Sequence, residues 1–127
     1  LISACEKARA LGPALALLAE MRAGRVEPNT RTYNSLISTC EKTKDVRTAL
    51  QLLREMLREG LEPNVITYSA LISACEKARA LGPALALLAE MRAGRVEPNT
   101  RTYNSLISTC EKTKDVRTAL QLLREML

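Results

Sequence analysis

Apolar residues recur at helical spacing in two short stripes, and these stripes alternate along the whole chain. In residues 30–64 the first stripe occupies positions i, i+3, i+4 and i+7, which is the pattern of an amphipathic helix with one buried face. Its members are Tyr33, Leu36, Ile37 and Cys40. The pattern predicts a first helix over residues 32–42.

A second stripe follows after a polar break and predicts a second helix. Asp45 stands before it and belongs to the residue types that cap helix N-termini. Gly60 stands after it and is a natural helix stop. The members of this stripe are Val46, Ala49, Leu50, Leu53, Met56 and Leu57. Residues 30–64 are therefore expected to form a helical hairpin that closes with a Glu-Pro-Asn turn.

Residues 65–99 follow the same pattern but have different residues at the ends of their second helix. Their second helix is expected to begin at Leu81, since Pro83 is tolerated in a first helical turn. Gly94 stands one place earlier in the repeat than Gly60 does. We therefore expect this helix to end one residue sooner than its counterpart.

The helix pairs repeat with a fixed period. Residues 30–64 and 65–99 agree at 17 of 35 positions without a gap, and residues 1–57 recur letter for letter as residues 71–127. A period of this size is typical of a solenoid stacked from copies of one supersecondary unit. The sequence predicts an all-α, right-handed α-solenoid superhelix of helix-turn-helix repeats, with the first helices lining its concave side.

The period divides the chain into four units. Residues 30–64 and 65–99 are complete repeats, and residues 1–29 and 100–127 are partial ones. Perfect identity between the copies favours a designed or concatenated array over a recent natural duplication. The apolar stripes at the chain ends have no following partner in this sequence, which predicts end-to-end self-association. These stripes include Leu1, Ile2 and Leu127.

Composition narrows the classes of function. The chain has no His, the commonest general base and metal ligand, and no phosphate-binding loop, so we expect no enzyme, metal site or cofactor. Its 19 basic and 14 acidic residues give a net charge of +5, which is compatible with a polyanion partner. No apolar run approaches about 18 residues, so no membrane-spanning helix is expected. Glutamates that recur with the period are expected to be helix-surface acids; they are Glu6, Glu41, Glu76 and Glu111.

The cysteines also follow the period of 35 residues; they are Cys5, Cys40, Cys75 and Cys110. Metal sites group cysteines at much shorter spacings. Equivalent positions on packed helices lie about 8–10 Å apart, beyond the roughly 7 Å that a disulfide spans between Cα atoms. We expect small, buried, reduced thiols.

The repeat carries a recognisable motif. Each complete unit opens with Thr-Tyr and, after two further residues, Leu-Ile-Ser. It carries Glu-Met in its second helix and closes with Glu-Pro-Asn. This motif resembles the pure, 35-residue class of the pentatricopeptide repeat family, and the resemblance covers the whole chain. The 34-residue tetratricopeptide unit has a conserved Trp, whereas this chain has no Trp.

The resemblance implies sequence-selective binding of single-stranded RNA, one base per repeat and without catalysis. A protein-interaction scaffold is the alternative, since solenoids offer extended concave surfaces. The family is typically mitochondrial or chloroplast, and the sequence shows no targeting segment that would assign a location.

The resemblance also assigns base choice to two positions, the residue after the Tyr and the last residue of the repeat. The complete pairs are Asn34 with Asn64 and Ser69 with Asn99, and the visible halves of incomplete pairs are Asn29 and Asn104. Such short neutral side chains can meet the Watson–Crick edge of a base. In the family, pairs similar to Asn–Asn favour cytosine and pairs similar to Ser–Asn favour adenine, which implies 5′-CA-3′. Without the resemblance, Asn after Glu-Pro would be interpreted as a turn residue.

Two further sets complete the expected interface. The resemblance assigns base stacking to the residue two places before each Tyr. These residues are Arg31, Ile66 and Arg101. Ile66 is aliphatic as the family pattern requires, whereas an Arg departs from it and would stack through its guanidinium plane or meet a phosphate. A ladder of cations near the ends of the first helices is expected to track phosphates or simply to be solvated; it comprises Lys7, Lys42, Lys77 and Lys112.

Overall fold

The computed structural model describes residues 11–126, and these residues form seven α-helices. In chain order the helices are α1 (Leu11–Ala23), α2 (Thr30–Thr43), α3 (Val46–Arg58), α4 (Val65–Lys77), α5 (Leu81–Ala93), α6 (Thr100–Thr113) and α7 (Val116–Met126). The predicted roles of Leu1, Ile2, Cys5, Glu6, Lys7 and Leu127 fall outside the described residues. The predicted alternation of first helices (α2, α4, α6) and second helices (α1, α3, α5, α7) is confirmed.

The first helices begin earlier than their apolar stripe indicates. Helix α2 starts at Thr30 rather than at residue 32 because Asn29 caps it. The Asn29 Oδ1 accepts the Thr32 backbone N–H at 2.9 Å, and the Thr32 hydroxyl accepts the Asn29 N–H at 3.2 Å. This reciprocal capping box satisfies two N–H groups that a helix start leaves without partners.

The same capping box starts every first helix in the described part of the chain. Asn64 caps α4 together with Thr67, and Asn99 caps α6 together with Thr102. The closing Asn of one repeat is thus the first structural element of the next. Sequence reasoning assigned it only to a turn or to a ligand.

The second helices begin as predicted. The Asp45 carboxylate accepts the Thr48 backbone N–H at 3.1 Å and the Thr48 hydroxyl at 2.7 Å. Asp115 repeats this arrangement with Thr118, and these two hydrogen bonds lower the pKa of the Asp115 carboxyl. Helix α5 starts at Leu81 without a side-chain cap.

The expectation that α5 ends earlier than α3 is wrong. The two helices end at Arg58 and Ala93, which are equivalent positions of the repeat. The chain then leaves each helix through a residue with positive φ, which is Gly60 (77°) in one repeat and Arg95 (59°) in the other. Gly94 is a C-cap with φ of −85°. The position of the turn is therefore set by the repeat register and not by the glycine.

We expect Arg95→Gly to stabilise the chain by about 1 kcal/mol, because a side chain in the left-handed region costs roughly that much and glycine avoids it. Gly60→Ala should lose a similar amount for the opposite reason. Gly94→Ala is the matched control, since its φ is ordinary and the added Cβ would meet the Glu90 carbonyl oxygen at 3.5 Å. Urea unfolding measures all three variants. Equal midpoints for Arg95→Gly and the parent would contradict the strain argument.

The apolar stripes form one continuous core along the solenoid. The largest fully buried side chains come from both kinds of helix and include Tyr33, Leu36, Ile37, Leu53, Met56, Leu71, Ile72, Leu87, Met91 and Leu106. Each hairpin packs internally, and each first helix also packs on the second helix that precedes it. Neighbouring repeats therefore share their core, as a solenoid requires.

The curvature follows from how the two rows of helices pack. Helix α4 packs closely on both α2 and α6, whereas in the described residues no Cα atom of one second helix lies within 8 Å of another second helix. Ion pairs between long side chains join the second helices instead, such as Arg54–Glu90 at 2.7 Å and Arg92–Glu125 at 2.7 Å. The closely packed row of first helices is the inner, concave row. The predicted fold class, an all-α right-handed solenoid superhelix, is confirmed.

Within residues 11–126 no helix is both long and apolar enough to cross a membrane. The described cysteines are buried and unpaired, as predicted. Burial raises the pKa of Cys40 to about 12 and that of Cys75 to about 11.

We expect the folded chain to react slowly with iodoacetamide at pH 8, because at a pKa near 11 only about one thiol in a thousand is ionised. Mass spectrometry of the tryptic peptide of residues 59–77, which carries Cys75, measures this rate. The same chain in urea is the control and should react fast. Equal rates in the two conditions would show that Cys75 is not protected.

Candidate nucleic-acid interface

The first predicted base-reading pair comes together at the N-terminal ends of α2 and α4. The Asn34 Nδ2 donates to the Asn64 Oδ1 at 3.3 Å, and the Thr67 hydroxyl donates to the Asn34 Oδ1 at 2.5 Å. Residues that lie 30 positions apart in sequence thus form one hydrogen-bonded group. Thr67 belongs to this group, and sequence reasoning missed it.

This pair faces an open cleft between α2 and α4, which we name the first slot and define by Arg31, Asn34, Asn64 and Ile66. The cleft has a volume of about 540 Å³, within the range of about 300–1,000 Å³ that is common for small-molecule sites. Ile66 is 57% exposed at its edge. The structure therefore gathers the predicted reading pair and the two predicted stacking residues around a single cleft.

The helix cap fixes which end of each closing amide faces the cleft. The Asn64 Oδ1 accepts the Thr67 backbone N–H at 3.1 Å, and the Asn99 Oδ1 accepts the Thr102 backbone N–H at 2.9 Å. Each amide therefore directs its oxygen into the helix start. Its Nδ2 makes no hydrogen bond within residues 11–126, so a donor remains for a ligand.

The second predicted pair is assembled differently. The Ser69 and Thr102 hydroxyl oxygens lie 3.0 Å apart, and the Thr102 hydroxyl also donates to the Asn99 Oδ1 at 2.9 Å. Thr102 thus links Ser69 to Asn99, and we define the second slot by Ile66, Ser69, Asn99 and Arg101. Ser69 is only 2% exposed, whereas its counterpart Asn34 is half-buried. The spacing Asn-x-x-Thr after each Glu-Pro was the signal in the sequence for these threonines.

Asn29 and Asn104 belong to two different incomplete pairs. Asn29 is exposed and caps α2, and Asn104 is exposed on α6.

Lys77 and Lys112 of the lysine ladder pair with glutamates of the preceding repeat. Lys77 Nζ lies 3.2 Å from the Glu41 Oε2, and Lys112 Nζ lies 3.2 Å from the Glu76 Oε2. Lys42 is half-buried near the end of α2. These lysines lie on the first helices as predicted, and a carboxylate shares the charge of Lys77 and of Lys112.

The Glu41 carboxylate is more than a surface acid. Its side chain is 11% exposed, and it accepts the Ser73 hydroxyl at 2.7 Å and the Arg101 guanidinium at 3.2 Å. Glu76 is less buried and accepts the equivalent Ser108 hydroxyl at 2.7 Å. The expectation of a helix-surface acid is thus wrong for Glu41, because its side chain is buried and the Ser73, Lys77 and Arg101 donors converge on it.

The two predicted arginines occupy different environments. Arg31 is exposed and lines the first slot. Arg101 reaches from α6 to Glu41 on α2, and α4 lies between these helices. The 70-residue period of the sequence therefore does not give the two arginines the same contacts.

Sequence models of the pentatricopeptide repeat match along the chain. A PPR repeat family model matches residues 28–77 and 70–112, a pentatricopeptide repeat domain model matches residues 1–43, and a PPR repeat model matches residues 101–127. No curated protein matches the sequence.

Solved structures of the same architecture superpose closely. The maize pentatricopeptide repeat protein PPR10 is 31% identical, with a TM-score of 0.87 over 98% of this chain. This chain spans only 18% of the length of that protein. PPR10 in complex with an 18-nt psaJ RNA element gives the same identity and TM-score over the same share of both chains.

A more distant match shows the fold alone. The PPR domain of protein-only RNase P 1 from Arabidopsis thaliana, solved in complex with tRNA, is 18% identical with a TM-score of 0.80. That alignment covers 91% of this chain and 60% of the other. The matches of the family models and the structural agreement together establish that this chain belongs to the pentatricopeptide repeat family.

Proposed function

We propose that this chain binds single-stranded RNA, one base per repeat and without catalysis. The observation that carries the proposal is the hydrogen-bonded pair of Asn34 and Asn64 in an open cleft between Arg31 and Ile66. A cleft with a polar floor and flat or aliphatic edges suits an unstacked base. The RNA complex of the similar maize protein supports the same class of ligand.

The orientation of the closing amide supports a particular base preference. Because the cap holds the Asn64 oxygen, the amide offers an N–H donor to the slot. Cytosine presents acceptors at N3 and O2, and adenine presents one at N1, whereas uracil and guanine present an N–H at the corresponding ring position. A donor at this place therefore favours C or A over U or G.

The residue after the Tyr then separates the two. In the first slot the longer Asn34 extends toward the base and suits the smaller ring of cytosine. In the second slot the short Ser69 leaves more depth, which suits the larger ring of adenine. With the family polarity, residues 30–64 and 65–99 would bind 5′-CA-3′.

Asn64→Asp should move the first slot from C toward U, and Asn99→Asp should move the second from A toward G. Aspartate caps helices as well as asparagine does, so the fold is retained while the outward donor becomes an acceptor. A mismatched buried edge costs about 1–3 kcal/mol, which sets the expected preference change. The measurement is competition among RNAs that differ at a single base.

Two results would separate the parts of this proposal. Equal affinity of the parent for CA-, UG- and GU-repeat strands would remove the base assignment and leave general RNA binding. The absence of any salt-dependent RNA binding would favour a protein-interaction scaffold instead.

The lysine ladder is proposed to supply affinity that is independent of sequence. Lys42→Ala and Lys77→Ala should each weaken binding to all RNAs alike and reduce the slope of log K against log salt by about 0.7 per lost phosphate contact. Arg58→Ala, at the end of the outer helix α3, is the charge-matched control and should leave the slope close to that of the parent. Slopes that do not change in the lysine variants would show that Lys42 and Lys77 touch no phosphate.

A further inference from the structure

We propose that Glu41 is a positioning residue for the second slot, and that it acts by drawing Arg101 across α4 so that the arginine covers Ser69. This proposal rests on the proposed function, because the slot is taken to receive a base. Glu41 lies two repeats before Arg101 and belongs to neither predicted base-reading pair.

The path of the Arg101 side chain follows from the contacts at its two ends. Its backbone neighbour Thr102 lies against Ser69, with 3.0 Å between the two hydroxyl oxygens. Its guanidinium lies 3.2 Å from the Glu41 carboxylate, which accepts the Ser73 hydroxyl at 2.7 Å. Ser69 and Ser73 are about one helical turn apart on one face of α4. The arginine therefore lies along the concave surface of α4, from the level of Ser69 to that of Ser73.

The first slot lacks this bridge. The residue that corresponds to Arg101 there is Ile66, which has no charge with which to bind a carboxylate. Ile66 is 57% exposed, and the cleft beside it is open. In the second slot Ser69 is 2% exposed. The two slots thus differ in Ser69 for Asn34 and in Arg101 for Ile66, and both differences alternate with the 70-residue period.

The bridge is built so that it can release the arginine. Glu41 keeps the Ser73 hydroxyl and the Lys77 ammonium as partners when Arg101 leaves. The Arg101 side chain is 51% exposed, so water can take over its guanidinium. A base that enters the second slot displaces Arg101 from Glu41, and the freed guanidinium can then stack on that base or meet its phosphate.

Thiol labelling without RNA tests the cover directly. Ser69→Cys places a thiol reporter in the slot. The labelling rate of this thiol is obtained by subtracting the labelling of the same variant without Ser69→Cys, which reports the native cysteines. We expect slow labelling in the parent and a rate about two- to fivefold higher with Glu41→Gln or Arg101→Ile, the change that the loss of one partly exposed ion pair produces. Arg101→Lys keeps a cation for Glu41 and should restore most of the protection.

Glu76→Gln is the matched control, because it makes the same charge change at the same repeat position, and Glu76 bonds a serine and a lysine but no arginine. It should leave the labelling of Ser69→Cys unchanged. Thermal melting checks that each variant is folded. If Glu41→Gln does not fold, Arg101→Ile tests the proposal alone, since Ile already occupies the equivalent position 66. Equal labelling rates in the parent, Glu41→Gln and Arg101→Ile would overturn the proposal.

RNA titration of the same variants separates this inference from the proposed function. Glu41→Gln should bind RNA about two- to fivefold more tightly than Glu76→Gln does, since both gain the same charge and only the former frees Arg101. If labelling responds as expected and no variant binds RNA, the cover is real and the proposed function fails. If RNA binds and the two Gln variants show the same affinity and labelling, the role of Glu41 is refuted.

Discussion

The hydrogen bonds between each closing Asn and the Thr three residues later govern both the fold and the candidate interface. They start every first helix in residues 11–126 and so set where one repeat ends and the next begins. They also fix the orientation of the amide at the edge of each slot, because its oxygen is held by the helix start. A side chain that is needed for folding therefore presents a defined donor on the concave surface.

The solenoid uses different interactions on its two surfaces. On the concave side, serine and lysine donors from one first helix bind a carboxylate of the preceding one, and this contact recurs every 35 residues, at Glu41 and at Glu76. On the outer side, Arg92 binds the Tyr103 hydroxyl, but Leu57 stands at the equivalent place one repeat earlier. The serine and lysine contacts follow the single repeat, whereas the arginine contacts of both surfaces follow the doubled one. Alternate repeats can therefore vary at their surfaces without changing the spacing of the inner helices.

The sequence was sufficient for the fold but not for the state of each site residue. Helical spacing, Asp45 and Pro83 predicted the helix pairs, because short-range patterns determine local structure. The start of α2 was misplaced because Asn29 was assigned a single role, although its spacing to Thr32 was a capping signal. The contact of Arg101 with Glu41 could not be predicted, since the arginine reaches past a whole helix to make it. Contacts of that kind depend on the curvature of the solenoid, which no single repeat encodes.

The two roles assigned to the closing residue, the observed helix cap and the proposed base contact, favour particular side chains at this position. The best helix caps are Asn, Asp, Ser and Thr, because each carries an oxygen close to the backbone. A Ser or Thr hydroxyl has one oxygen, so when this oxygen accepts the cap hydrogen bond, the same atom must also supply any contact to the slot through its O–H. Asn and Asp each have two polar atoms on one carbon, so one can bond the Thr67 or Thr102 N–H while the other faces outward. Asn and Asp therefore combine the cap with a separate polar atom that is directed outward, and they differ in whether that atom is a donor or an acceptor.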